Sequence, residues 1–71
     1  MKLDEELKEA LTLRYQGEIA VATANIKVYL TSPVGIGEHP DIIAAIDSEI
    51  EKAAHADEKL SFLSNEFGEE W

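Results

Sequence analysis

The chain has 71 residues and a mass of 7.9 kDa, contains no cysteine, and carries a formal charge of −9 from 15 acidic and six basic side chains. This length allows one small domain over residues 1–71, and the absence of cysteine excludes a disulfide-stabilised secreted miniprotein. The chain is 45% hydrophobic, which is too apolar for a disordered acidic tail. A domain this short buries only about 60% of the surface that its unfolded chain exposes, so a partner subunit often completes the core.

The N-terminal residues predict a soluble protein rather than a secreted or membrane-bound one. Asp4, Glu5 and Glu6 make the start of the chain acidic, without the apolar segment of a signal peptide. The longest uncharged and mostly apolar run, Ile19 to Ile26, is far shorter than the roughly 20 residues that a bilayer requires. The acidic excess repels nucleic-acid phosphates, and no basic cluster offsets it. We therefore expect a cytoplasmic protein with no direct nucleic-acid or membrane partner.

A first helix is predicted over residues 3–30. Asp4 suits its N-cap position, and Glu5 and Glu6 suit the first turn, where the helix dipole stabilises negative charge. Apolar residues recur at steps of three and four along one face: Leu7, Leu11, Tyr15, Ile19, Ala22, Ile26 and Tyr29. We expect this face, including both tyrosine rings, to pack in the core.

A loop is predicted over residues 31–39, because this part of the chain holds both prolines and two of the four glycines. Compact loops on rigid scaffolds commonly carry recognition, so the segment is a possible recognition loop. Its residues are Pro33, Val34, Gly35, Ile36, Gly37, Glu38, His39 and Pro40. The alternative is that the loop only reverses the chain, with Val34 and Ile36 filling the open end of the helices.

A second helix is predicted over residues 40–67. Pro40 suits the first helical position, Asp41 follows in the first turn, and Gly68 is a natural left-handed residue at the helix end. The apolar face consists of Ile43, Ile46, Ile50, Ala53, Ala56, Leu60, Leu63 and Phe67. Two long helices joined by a short loop predict an all-α fold, an antiparallel two-helix hairpin. We expect the residues beyond Gly68 to fray unless Trp71 docks.

The first helix also has a second apolar face, centred about a third of a turn from the first, with Arg14 as its single polar interruption. The residues of this second face are Leu3, Leu7, Ala10, Gly17, Val21, Ala24 and Val28. Ala10, Gly17 and Ala24 stand one heptad apart and allow another helix to approach closely. Because one hairpin buries only one face of each helix, we predict a homodimeric four-helix bundle in which the first helices meet. The alternative is a monomer whose apolar residues are singly exposed.

The distribution of charge favours first helices inside such a bundle and second helices outside. Residues 1–31 carry four basic and five acidic side chains, a net charge of −1. Residues 32–71 carry two basic and ten acidic side chains, a net charge of −8.

The predicted loop contains two weak chemical signals. Gly35 and Gly37 precede a helix, as in phosphate-binding loops, but no strand precedes them and the lysine and third glycine of the known motifs are missing. Glu38, His39 and Asp41 offer metal-binding groups without the spacing of any specific site. We interpret the glycines as turn residues and His39 as a surface or capping side chain.

His55 is the candidate for chemistry on the second helix, since Glu51 and Glu58 share its face. Dinuclear metal bundles use a Glu-x-x-His pair, but Lys52 occupies the position three residues before His55. The three side chains are therefore interpreted as a solvated charged surface. Without a cysteine or a recognisable serine nucleophile, we predict that the chain is not an enzyme and has no cofactor or metal; a small metalloenzyme is the third, least favoured class.

The run from Ala24 to Leu30, the run from Ser32 to Asp41, and Ile46 resemble small proteins of unknown function from marine phages, above all the contractile-tailed phages of marine cyanobacteria. The specific part is the Pro-Val-Gly-Ile-Gly-Glu-His-Pro segment, and the resemblance covers about a third of the chain. It implies a viral accessory protein made in a bacterial host, and no catalytic residue or cofactor.

Together these features predict a non-enzymatic helical interaction protein whose first partner is a second copy of itself, with a host or viral protein as a possible further partner. The alternative is an acidic decoy that imitates nucleic-acid phosphates and binds a basic host protein. Its carboxylates would be those of Glu38, Asp41, Asp47, Glu49, Glu51, Asp57 and Glu58.

Overall fold

The computed structural model describes residues 3–31 and 41–68, which form two helices, α1 (Leu3–Thr31) and α2 (Ile42–Phe67). The helices pack side by side. They are antiparallel, as the contact between Lys8 near the start of α1 and Phe67 at the end of α2 shows. The body measures 49 × 19 × 15 Å, and its described residues include no strand. The predicted all-α hairpin is confirmed, and the helix bounds differ from the predicted 3–30 and 40–67 by at most two residues.

The N-termini of both helices differ from the predicted ones in the residue that occupies the capping position. The helix α2 begins at Ile42 and not at Pro40, and Asp41 is its N-cap, accepting a hydrogen bond at 2.9 Å from the backbone N–H of Ala44. This satisfies a backbone donor that has no partner within the helix. The helix α1 already includes Leu3, so the prediction of Asp4 as its cap is wrong. The Asp4 carboxylate lies in the first turn and accepts from the Glu5 N–H at 3.0 Å.

The C-terminus of α2 is satisfied by a side chain from α1 instead of a left-handed glycine. Gly68 has φ −61° and ψ −44°, so the prediction of a left-handed end is wrong. The Lys8 ammonium donates to the carbonyl oxygens of Phe67 at 3.0 Å and Gly68 at 2.7 Å. A cation at this end also complements the negative pole of the helix dipole.

The hairpin interface uses the predicted face of α1, with one exception. The buried or half-buried members of that face are Leu11, Tyr15, Ile19, Ala22, Ile26 and Tyr29. The exception is Leu7, which is 51% exposed. The interface is thin, since the buried apolar side chains among the described residues are Ala22, Ala56 and Leu63.

The face of α2 that packs on α1 departs from prediction at three isoleucine or phenylalanine positions. Ile43, Ile50 and Phe67 are 74%, 49% and 43% exposed, so their assignment to the core is wrong. Ile42 takes the place of Ile43, and Glu49, only 7% exposed, takes the place of Ile50. The remaining predicted core positions are buried or half-buried: Ile46, Ala53, Ala56, Leu60 and Leu63.

Candidate interaction surface

All seven residues of the predicted second face of α1 are exposed in the single chain. Its larger side chains are 51% exposed at Leu7, 53% at Val28, 63% at Val21 and 69% at Leu3. The helix α2 therefore covers none of this face. Whether a second copy covers it stays a prediction.

The structure adds two residues to this surface that the sequence analysis did not select. Leu13, 61% exposed, and Ala20 lie beside Gly17 and Ala24 on the side of α1 opposite α2, given about 100° of rotation per residue. Their seven-residue spacing was the signal that could have identified them. We call the part of this surface from Ala10 to Val28 the outer face of α1, leaving out Leu3 and Leu7 at the N-terminal end, and define it as Ala10, Leu13, Gly17, Ala20, Val21, Ala24 and Val28. No charged side chain lies on this side of α1 between Ala10 and Val28, and Glu6 borders its N-terminal end.

Gly17 sits at the middle of the outer face without a packing partner in the described chain. A methyl group at this position would meet no atom within 4 Å beyond the local helix backbone. Glycine in a helix interior is about 1 kcal/mol less favourable than alanine. The contacts of the hairpin therefore give no reason for glycine at this position.

One flank of the hairpin, next to the outer face, forms an open groove of about 580 Å³ between α1 and α2. Three of the six Lys and Arg side chains of the chain line it, Arg14, Lys52 and Lys59, together with His55. Glu18 and Glu49 also line the groove and offset two of these three cations, so its net charge is only slightly positive. Its other lining residues are Gly17, Glu18, Val21, Ala22, Asn25, Glu49 and Ala56.

A buried carboxylate fixes the alignment of the two helices at the base of this groove. Glu49 accepts a hydrogen bond at 3.0 Å from the Asn25 amide and another at 3.0 Å from the Lys52 ammonium. These two bonds, the Asn25 bond foremost, lower the pKa of Glu49 below its ordinary value and outweigh the opposing effect of burial. Glu49 therefore stays ionised, and it supports the hairpin rather than presenting a reactive group.

The other charged groups of the groove contact neighbours as well. The Arg14 Nε atom lies 3.7 Å from Glu18 Oε2, with both side chains largely exposed. The Lys59 ammonium stands 5.7 Å from the centre of the Tyr15 ring, within the range of a cation–π contact. Such exposed pairs contribute little to stability, so they can exchange partners readily.

The candidate chemical residues do not assemble into a catalytic or metal-binding constellation within the described residues. His55, Glu51 and Glu58 are all exposed on α2, as the solvated-surface interpretation predicts. Residues 3–31 and 41–68 contain no group of three His, Asp or Glu side chains that could hold a metal ion. The possible recognition loop, Pro33 to Pro40, lies outside the described residues. The Gly35 and Gly37 turn, the pair Glu38 and His39, and the docking of Trp71 lie outside them too.

Comparisons with known proteins give no family assignment, since no protein-family model, curated protein or solved structure matches the chain. Neither α1 nor α2, as far as the chain is described, combines the length and the apolarity that crossing a membrane requires.

Proposed function

We propose that the protein is a small non-enzymatic interaction protein that forms a homodimer through the outer face of α1. The four helices of the two copies would then form a bundle with α2 on the outside. The observation that carries this proposal is the uncharged, exposed outer face, on which Leu13, Val21 and Val28 are each more than half exposed. Contiguous exposed apolar surface on a soluble protein is typical of an interaction site.

The thinness of the hairpin core supports association. Among residues 3–31 and 41–68, two of the three buried apolar residues are alanines, which contribute little apolar area. Burial of apolar surface contributes about 25 cal/mol per Å². Covering the outer face with a second copy would therefore add a second apolar layer to the one between α1 and α2.

The resemblance of the loop segment to proteins of marine cyanobacterial phages supports a viral accessory role in the cytoplasm of a bacterial host. The resemblance names no activity. The further partner of the dimer would accordingly be a host or viral protein.

A pair of matched charge insertions tests the proposal. Ala24 and Ala54 are both exposed helical alanines, but Ala24 lies on the outer face of α1 and Ala54 on the side of α2 away from α1. Ala24→Glu should give a helical monomer in sedimentation equilibrium, whereas the wild type and Ala54→Glu should sediment as dimers. Equal masses for Ala24→Glu and wild type would refute association through this face.

The acidic decoy remains a second candidate because α2 presents carboxylates to solvent. Asp47, Glu51, Asp57 and Glu58 are all exposed. Glu49 does not belong to this array, since it is buried and hydrogen-bonded to Lys52. If the protein is a decoy, it should capture DNA-binding proteins from a bacterial lysate, and high salt should abolish this capture. Capture that is insensitive to salt would favour apolar recognition instead.

A further inference from the structure

We propose that the two α1 helices of the dimer pack antiparallel, with Gly17 facing Gly17 at the two-fold axis. This inference rests on the proposed function and specifies the geometry of the same surface. A symmetric antiparallel pair requires that residues equally distant from its centre suit one another. Two pairs of outer-face residues meet this requirement about Gly17, because Ala10 and Ala24 lie seven residues to either side and Leu13 and Val21 lie four residues to either side. Ala20 would face Arg14, and Val28 would face Glu6, of the other copy.

Gly17 suits the position of closest approach. It has no side chain, and the space beside it is empty in the single chain. The small side chains of Ala10 and Ala24 extend the close contact by two turns in each direction. In this arrangement the glycine has a packing role that the hairpin itself does not provide.

Charge complementarity selects the antiparallel direction through Lys27 and Glu9. These residues are eighteen positions apart, about five helical turns, so they lie on the same side of α1. Both residues are exposed. Antiparallel pairing about Gly17 brings Lys27 of one copy within about two residues, or roughly 3 Å along the axis, of Glu9 in the other copy. The two-fold symmetry generates this contact twice.

The opposite side of the outer face carries Arg14 and Glu18, which would meet their counterparts of the other copy near the dimer axis. Arg14 of one copy would lie within about two residues of Glu18 in the other copy, and the two Glu18 side chains would lie equally near each other, so this side does not select the direction. The contact of Arg14 with Glu18 within one chain is long, 3.7 Å, and the side chains are 72% and 44% exposed. Both groups are therefore available to form contacts across the dimer axis.

Parallel pairing would instead set like charges against each other. The acidic first turns, with Asp4, Glu5 and Glu6, would face their own copies. Lys27 would find no carboxylate of the other α1 nearby, because Glu18 is the last acidic residue of that helix. The dipoles of the two helices would also be aligned, which is unfavourable.

Single-cysteine variants test the direction, because the wild-type chain has no cysteine. A disulfide requires Cα atoms about 4.4–6.8 Å apart. Under mild oxidation, Gly17→Cys should cross-link with itself. Ala10→Cys should cross-link with affinity-tagged Ala24→Cys, but neither variant with itself, because equivalent sites would be about 21 Å apart along the axis.

Each outcome separates this inference from the dimer proposal. Self-cross-linking of Ala10→Cys and of Ala24→Cys would show parallel helices and overturn the antiparallel geometry while the dimer stands. A monomeric mass in sedimentation equilibrium would overturn both.

Charge exchange gives a second readout without cysteine. Lys27→Glu should weaken dimerisation roughly tenfold, and adding Glu9→Lys should restore the dissociation constant to within about twofold of wild type. Failure of the double variant to recover would also contradict the antiparallel contact.

Discussion

Gly17→Ala changes the stability of the hairpin and the strength of association in opposite directions. The added methyl group meets no atom within 4 Å in the single chain, so only the gain in helix propensity applies there. That gain is about 1 kcal/mol, which raises the melting temperature of a chain of this size by about 4–8 °C when the protein is dilute and dissociated. At the dimer axis, two methyl groups would occupy the space of closest approach, and overpacking costs about 1–3 kcal/mol.

The assay combines thermal unfolding by circular dichroism at low concentration with sedimentation equilibrium at high concentration. The dissociation constant of the dimer should rise by at least about fivefold, which corresponds to about 1 kcal/mol. Thr23→Ala is the matched control, because Thr23 is exposed on α1 outside the outer face, so its substitution should leave dimerisation unchanged. A Gly17→Ala protein that dimerises as tightly as wild type would refute close contact at Gly17.

Three further predictions concern the hairpin itself. Because the folded-state pKa of Glu49 is lowered, its ionised form stabilises the fold above the ordinary value of 4.5, and this contribution is lost as the pH falls through the lower folded-state pKa. Glu49→Gln should therefore be less stable than wild type at neutral pH, with a difference that shrinks in acid melting curves. Glu51→Gln, at an exposed position of α2, is the control and should unfold like wild type. Asp41→Ala should cost about 0.5–2 kcal/mol in urea unfolding, and Asp41→Ser should recover most of it; full stability of the alanine variant would contradict its capping role. Ala56→Leu should cost about 1–3 kcal/mol in the same assay, because Ala56 is 2% exposed, and an unchanged midpoint would contradict the close approach of the helices.

The sequence predicts the two helices well because their apolar residues follow steps of three and four over many turns. The face of α1 that packs on α2 was predicted almost completely for the same reason. Leu7 was assigned to both faces of α1, and the structure leaves it exposed.

Contacts between the helices were not predictable from periodicity. Glu49 and Ile50 both fit the spacing between Ile46 and Ala53, and hydrophobicity favours the isoleucine. The carboxylate is buried instead because Asn25 lies opposite it on α1 and Lys52 follows one turn later on α2. That choice depends on the alignment of two helices, which a single-helix pattern does not contain.

The C-terminal end of α2 could not be predicted from local sequence either. Gly68 favours a left-handed end when local sequence alone is considered. The carbonyl groups at this end are instead satisfied by Lys8, sixty residues earlier in the chain. The outer face was predicted in part, but Leu13 and Ala20 belong to it because α2 lies on the opposite side of α1, which the structure establishes.

Sedimentation equilibrium of the wild-type protein at tens of micromolar tests the central claim most directly. We expect a folded species of twice the 7.9 kDa chain mass that dissociates on dilution. A well-folded 7.9 kDa monomer throughout that concentration range would contradict it, since the apolar outer face of α1 would then be stable in water without a partner.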